Sequence, residues 1–191
     1  LAEILKKAGY TTGCFGKWHL GDQPEFLPAN QGFDVFFGIP YSNDIWPENQ
    51  NAVKYDPTFC PLPLMHDLEV LEIIEDMEDQ AQLCKRFTEA ATDFIRTNAD
   101  KRFFLYLPHA SIHHPRSAPV DFIQNAGGDI TRAQIEEVDW SVGQILNTLR
   151  ELGLERRTLV IFTSDNGGSG GTSMGPLKGG KNNTWEGGMR E

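Results

Sequence analysis

Positive charge is in short supply in this sequence. Lys and Arg number 17 against 27 Asp and Glu, a formal net charge of −10 with a pI near 4.9. Such a surface repels polyanions, so nucleic-acid binding is excluded as a general function. An anionic substrate would need a local basic pocket working against the global field. Cysteine is scarce too: Cys14, Cys60 and Cys84 are the three present, and none stands in a C-x-x-C or Cys/His metal spacing. An odd number leaves the redox compartment open, and no pattern speaks to oligomeric state. No run approaches the roughly 18 consecutive apolar residues of a membrane span, although the apolar fraction of 39% is enough for a core. An initiator Met is also missing. The chain starts inside a helical pattern at Leu1-Ala2-Glu3-Ile4-Leu5 and stops at Gly187-Gly188-Met189-Arg190-Glu191 without a closing element. The expectation is a piece of a longer protein, with any signal peptide out of view.

What is there reads as alternating helices and strands. Leu1, Ile4, Leu5 and Ala8 share a helical face over residues 1–9, with Gly9 as a cap. Tyr10 to Phe15 reads as a strand, followed by Gly16-Lys17-Trp18-His19-Leu20-Gly21. Residues 22–66 are rich in Pro, Asn and Gly and read as a long, aromatic-containing functional loop. From Asp67 to Asp79 there are seven acids and no base, which reads as a solvated helix face or an acidic loop. Leu83, Phe87, Ala90, Ala91, Phe94 and Ile95 mark a buried helix face. Phe103 to Leu107 is a strand leading into Pro108-His109-Ala110-Ser111-Ile112-His113-His114-Pro115. The most regular helix carries Ile135, Val138, Val142, Ile145, Leu149 and Leu152 as a core stripe, with a capping box at Thr131 and Gln134 and a Gly153 cap. Leu159-Val160-Ile161-Phe162 then reads as a strand buried on both faces, ending at Ser164-Asp165-Asn166-Gly167-Gly168. Repeated crossover helices imply an α/β fold: a mostly parallel sheet flanked by helices on both faces.

Three strands therefore discharge polar clusters at their carboxyl ends: Lys17 and His19, then His113 and His114, then Asp165 and Asn166. In an open α/β sheet those ends meet at the ligand edge. Adjacent carboxylate and amide oxygens suit a hard cation such as Ca²⁺ or Mg²⁺, although Asp-Asn-Gly is also ordinary turn chemistry. A divalent cation, imidazoles and fixed ammonium groups suit transfer or hydrolysis of a tetrahedral oxyanion ester. The cations neutralise its oxygens and a histidine protonates the leaving oxygen. The stretch Gly175-Pro176-Leu177-Lys178-Gly179-Gly180-Lys181-Asn182 has P-loop spacing. Asn182 stands where Ser or Thr would hold Mg²⁺, however, and no strand immediately precedes it, so an NTPase is rejected.

These residues resemble the sulfatase family. Gly16-Lys17-Trp18-His19-Leu20-Gly21 looks like its GKWHLG signature. Leu27-Pro28, Gln31-Gly32-Phe33-Asp34 and Gly38-Ile39-Pro40-Tyr41-Ser42 resemble its arylsulfatase A branch. His113-His114-Pro115 is similar to its H-x-P, Thr163-Ser164-Asp165-Asn166-Gly167 to its T-x-D-N-G, and Gly180-Lys181 through Thr184-Trp185-Glu186-Gly187-Gly188-Met189-Arg190-Glu191 to its closing motif. The resemblance spans nearly the whole chain and is weakest over residues 45–80. It implies an alkaline phosphatase-like fold, incomplete here, with residues 1–191 forming part of one catalytic domain truncated at both ends.

It further implies roles. Asp165 and Asn166 would be two ligands of a Ca²⁺ (or Mg²⁺) ion. Lys17 and Lys181 would bind sulfate oxygens, and His113 would contact the sulfate and protonate the leaving oxygen. His19 would hydrogen-bond an aldehyde-hydrate nucleophile, and Ser42 would add a hydrogen bond in the substrate pocket. The implied reaction is hydrolysis of sulfate monoesters, on a sulfated small molecule or sulfated sugar, in a periplasmic, secreted or lysosomal setting. One departure matters. The family's C-x-[PA]-S-R, whose Cys or Ser becomes the formylglycine nucleophile, is absent, as are the paired aspartates that complete the metal site. Both are expected upstream of Leu1, and the piece alone is expected to be inactive. A phospho- or phosphonate-ester hydrolase of the same superfamily and a non-catalytic anion-binding relative are the alternatives, which the upstream nucleophile would separate.

Overall fold

The computed structural model describes residues 1–49, 59–169 and 172–189. Arg190 and Glu191 of the closing motif, and part of the long loop, lie outside the described residues. The chain divides into two compact units, Leu1–Arg156 and Arg157–Glu191.

The first unit is organised on Thr11–Lys17 (β1), whose interior is buried on both faces. Its companions are Val35–Ile39 (β2), Leu62–His66 (β3), Glu69–Ile74 (β4) and Phe103–Tyr106 (β5). They form one sheet in the order β4-β3-β2-β1-β5. β1 pairs in parallel with β2 on one side and β5 on the other, while β2-β3 and β3-β4 are antiparallel. The α/β sheet expected from the crossovers is thus mixed: the crossovers make its parallel half, and the β3-β4 hairpin extends one edge. Gly16 and Gly38 are register partners at its centre. A Cβ on Gly38 would stand 1.9 Å from the Gly16 carbonyl oxygen, and one on Gly16 would stand 2.1 Å from that of Pro108. Only glycine admits three backbones this close.

Alternation along β1 sends Phe15 to one face and Cys14 to the other. Phe15 packs with Ala91 and Phe94 of the long helix Met77–Thr97, and Ile95 of that helix packs with Leu149 of Ile130–Glu151. On the opposite face Cys14 and Phe36 meet Ala2, Leu27 and Phe33. These come from the short helix Ala2–Lys7 (α1) and the loop carrying two 3₁₀ turns. The helices Met77–Thr97, Val120–Asn125 and Ile130–Glu151 are α2, α3 and α4. α2 starts at Asp76, whose carboxylate accepts from the Glu78 and Asp79 amides, satisfying N–H groups that lack helical partners. Among the described residues, no helix is long and apolar enough to cross a membrane.

Several local expectations are corrected. The long loop contains β2 and β3, because Val35-Phe36-Phe37 finds a parallel partner in β1 despite its Pro- and Gly-rich flanks. The acidic stretch is a strand and a helix start: β4 pairs with β3 and is exposed along its length except at Ile74, which leaves Glu69 and Glu72 in solvent. In α1 only Ala2 is buried, whereas Leu1 and Ile4 face outward. In α4 the buried side is Ala133, Gln134, Glu137, Ser141, Thr148 and Leu149, so Ile135 and Leu152 of the expected stripe are exposed. α4 meets α2 through this polar seam, rotated from its apolar one. Its cap is Asp129, which accepts from Thr131 and Arg132, rather than a Thr131–Gln134 box. The Gly153 cap is present, with φ of 67° and Leu154 N–H donating to Leu149.

The second unit has little regular structure beyond Glu186–Met189 (α5). Leu159-Val160-Ile161-Phe162 is not a buried strand here. Leu159, Ile161 and Phe162 are 85%, 76% and 73% exposed, and no ladder forms among the described residues. A strand of this kind exists only with hydrogen-bonding neighbours on both sides, and the run has neither.

Candidate active site

The carboxyl edge of β5-β1-β2 carries the candidate residues of the first unit. Beyond the regular strands the ladder continues: Lys17 N–H donates to Pro108 O (2.8 Å), Trp18 N–H to Ile39 O (2.9 Å) and His19 N–H to Pro40 O (3.1 Å). Lys17 and His19 are therefore held between the segments leaving β5 and β2. His19 is exposed and adopts a left-handed backbone, φ 55°, where the chain leaves the ladder. It lines a groove of about 280 Å³ with Asp22, Tyr41, Ile45 and Cys60. The Tyr41 hydroxyl donates to Pro61 O. Burial, with Cys60 and Asp22 nearby, pushes that phenol up to about 12, so it stays a neutral donor.

Ser42 is 2% exposed, and among the described residues its Oγ has no hydrogen-bond partner. A buried hydroxyl in that state is uncommon and marks a place where a ligand or water can bind. His113 comes from the segment after β5. Its Nδ1 lies 3.0 Å from the His114 carbonyl oxygen and 3.9 Å from Oδ1 of Asp44, in the loop after β2. Lys17 thus ends β1, and His19, Ser42 and His113 follow β1, β2 and β5, adjacent parallel strands, at one sheet edge. His114 is exposed and contributes its carbonyl. In sequence Asp44 reads as part of the long loop, and the signal that marks it is an acid two residues from Ser42.

His109 takes no part in this edge. It points into the α2–α4 seam, with Nδ1 3.6 Å from Cys84 Sγ and Nε2 3.3 Å from Ser141 Oγ, which in turn meets Thr88 Oγ1. Burial pulls its pKa down to about 4. Burial also pushes Glu137 up to about 8, with nearby Asp121 adding to it.

The second unit holds Asp165, Asn166 and Lys181 by backbone contact. Gly167 N–H donates to Gly188 O (3.2 Å) and Lys181 N–H to Gly168 O (2.9 Å), so the Asp-Asn turn and the lysine segment lie side by side. Glycine pairs make this possible, since a Cβ on Gly167 would lie 1.7 Å from Gly187 O. Asp165 is exposed and Asn166 half-buried. The pair fits a hard cation in kind, being two oxygen donors, but a Ca²⁺ ion takes about six to eight. Among the described residues no group of three or more His, Cys, Asp or Glu could hold a metal. Lys178 of the P-loop-like stretch caps the Trp185 ring at 3.7 Å, and turns rather than a helix follow Lys181.

The statistical model of the family described as Sulfatase matches residues 1–191. The chain belongs to the sulfatase family. Among sulfatases of known activity it is 38% identical to N-acetylgalactosamine-6-sulfatase of Mus musculus over 206 residues, covering all of this chain and 38% of that one. It is also 38% identical to arylsulfatase A of Homo sapiens over 207 residues, covering all of this chain and 41% of that one. The chain therefore spans about two fifths of these curated relatives. Among solved sulfatases, PsFucS1 from Pseudoalteromonas sp. superposes with a TM-score of 0.84 at 27% identity, over 98% of this chain and 42% of that one. Ps i-CgsB in complex with k-i-k-neocarrahexaose superposes with a TM-score of 0.79 at 27% identity, over 98% and 44%. The alkaline phosphatase-like α/β sheet is thus that of the family. The sulfatase nucleophile motif has no counterpart here: Cys14 and Cys84 are buried, Cys60 is exposed, and none stands in C-x-[PA]-S-R.

Proposed function

We propose that residues 1–191 form part of one sulfatase catalytic domain, and that the protein carrying them hydrolyses sulfate monoesters. The observation that carries this reading is the cationic edge after β1 and β5, where Lys17, His19 and His113 gather on an otherwise acidic protein. Lys17 places an ammonium where a sulfate oxygen can sit. His113, held through Nδ1, gives a proton from Nε2 to the leaving oxygen. The buried Ser42 hydroxyl, without a partner among the described residues, supplies a hydrogen bond to bound substrate. His19 presents its imidazole as a hydrogen-bonding group at the rim of the groove. From the second unit, Lys181 offers a further ammonium for sulfate, and Asp165 and Asn166 would ligate a Ca²⁺ or Mg²⁺ ion. Such a cation supplies charge neutralisation when bound. No residue of this chain fits the formylglycine nucleophile, and no step here depends on it.

The relatives' names support a sulfated sugar or aryl sulfate as substrate, and the family reading carries a periplasmic, secreted or lysosomal location with it. The test is sulfate release by the longer protein from 4-nitrophenyl sulfate and from N-acetylgalactosamine 6-sulfate, beside 4-nitrophenyl phosphate. Turnover of sulfate esters that falls at least about 100-fold in Lys17→Ala is expected, in line with removal of one charge-stabilising donor. Turnover of the phosphate alone refutes the proposal. The 191-residue chain by itself is expected not to turn over 4-nitrophenyl sulfate.

A further inference from the structure

We propose that Asp44 is a positioning residue for His113, an inference that rests on the sulfate-ester reading above. Two oxygens attend one ring nitrogen: the His114 carbonyl at 3.0 Å and the Asp44 carboxylate at 3.9 Å from Nδ1. Nδ1 therefore keeps its hydrogen, directed at the carbonyl, and any proton this imidazole transfers travels on Nε2. At 3.9 Å the contact with Asp44 is ionic rather than a hydrogen bond. Its effect is to favour the imidazolium and to resist rotation of the ring.

The carboxylate is itself placed by buried neighbours. Asn43 and Gln80 exchange hydrogen bonds, Asn43 Nδ2 to Gln80 Oε1 at 3.1 Å and Gln80 Nε2 to Asn43 O at 2.9 Å. Asn49 Nδ2 donates to the Asp44 carbonyl at 2.9 Å, and Ile45 N–H to Ser42 O at 2.9 Å. Gln80 stands in the first turn of α2, so a helix outside the ligand edge sets where Asp44 sits. The loop after β2 thereby reaches the segment after β5. In the reaction an oxygen nucleophile from outside these residues forms a bond to sulfur as the ester S–O bond breaks, and that bond's electron pair stays on the leaving oxygen. The Nε2 proton moves to that oxygen, and neutral imidazole remains with Nδ1–H in place. Asp44 takes no proton and gives none.

Among the described residues, Asp44 faces the ring from the loop after β2, and His114 faces it from its own segment, with ring centroids 6.5 Å apart. Ring-¹⁵N labelling of the chain's five histidines, with His113→Gln to identify the signal, reads the His113 titration directly. Asp44→Asn is expected to lower the His113 pKa by about half to one pH unit, the scale of one charge at this distance in a wet site. Asp44→Glu is expected to restore most of it. In the longer protein, Asp44→Asn should lower kcat by about 10-fold with KM little changed. The loss should be larger on a sulfated sugar than on 4-nitrophenyl sulfate, whose leaving group needs less protonation. An unshifted His113 pKa overturns the proposal. So does a kcat loss equal for both leaving groups, which is the signature of a structural role. If the wild type turns over no sulfate ester yet the His113 shift is present, the sulfatase reading fails and the ion pair stands.

Discussion

Glu137 and His109, buried in the same α2–α4 seam, make folding stability depend on pH in a way that can be worked out in advance. Glu137 is 1% exposed, one carboxyl oxygen lacks a partner, and burial raises its pKa from 4.5 to about 8. The native state therefore holds a proton that the unfolded chain has released between those values. Its stabilising effect is complete below pH 4.5 and disappears as pH rises through 8. His109 works in the opposite sense. Burial lowers it from 6.5 to about 4, so its stabilising effect is present above pH 6.5 and lost as pH falls through 4. The two slopes oppose one another between about pH 4.5 and 6.5, leaving that range nearly flat. Above 6.5 only Glu137 acts. At about 1.4 kcal/mol per pH unit, stability should fall by up to about 2 kcal/mol between pH 6.5 and 8. Urea denaturation of the chain at pH 5, 6.5 and 8, followed by circular dichroism, measures this. Glu137→Gln keeps the shape and removes the titration. It should abolish the fall above pH 6.5 and unmask the His109 slope below it. A wild-type profile flat to pH 8, or a fall that persists in Glu137→Gln, refutes the reasoning.

Three further outcomes follow from the packing. Gly38→Ala forces a Cβ to within 1.9 Å of the Gly16 carbonyl oxygen, so β1 and β2 must part. A loss of about 3 kcal/mol or more, read as insoluble expression or a collapsed urea midpoint, is expected. In native protein a thiol reagent should label Cys60 quickly and Cys14 and Cys84 only on unfolding, because the first is exposed and the others are buried; mass spectrometry of the labelled peptides distinguishes them. Burial works to raise the Asp34 pKa, but Lys6 at 2.7 Å and the Thr12 amide and hydroxyl at 2.9 and 3.0 Å win and hold it low. Asp34 is exposed and its charge is screened, so Asp34→Ala should cost about 1 kcal/mol at pH 7. That deficit should shrink as pH falls below 3.8, where the wild-type carboxylate begins to lose its own advantage.

The family, the α/β class and the existence of α2 and β5 are legible in the residues alone, and five of the seven candidate groups, Lys17, His19, His113, Asp165 and Asn166, stand out there as polar residues following strand-like runs. These are local facts: a period of hydrophobicity, a glycine that alone can cap or turn, and a motif carried by adjacent residues. Tertiary structure decided whatever depends on a partner distant in the chain. Val35-Phe36-Phe37 is a strand because β1 lies beside it, and Leu159–Phe162 is not one because no ladder forms on it. The buried side of α4 is its polar seam because α2 presents Cys84 and Thr88 there. Asp44 looked like loop in one dimension, and only the fold carries it from behind β2 to the His113 ring that arrives from behind β5. A side chain's role follows from which charge stands opposite it, and that partner is chosen by strand order and helix packing, which residue spacing does not encode.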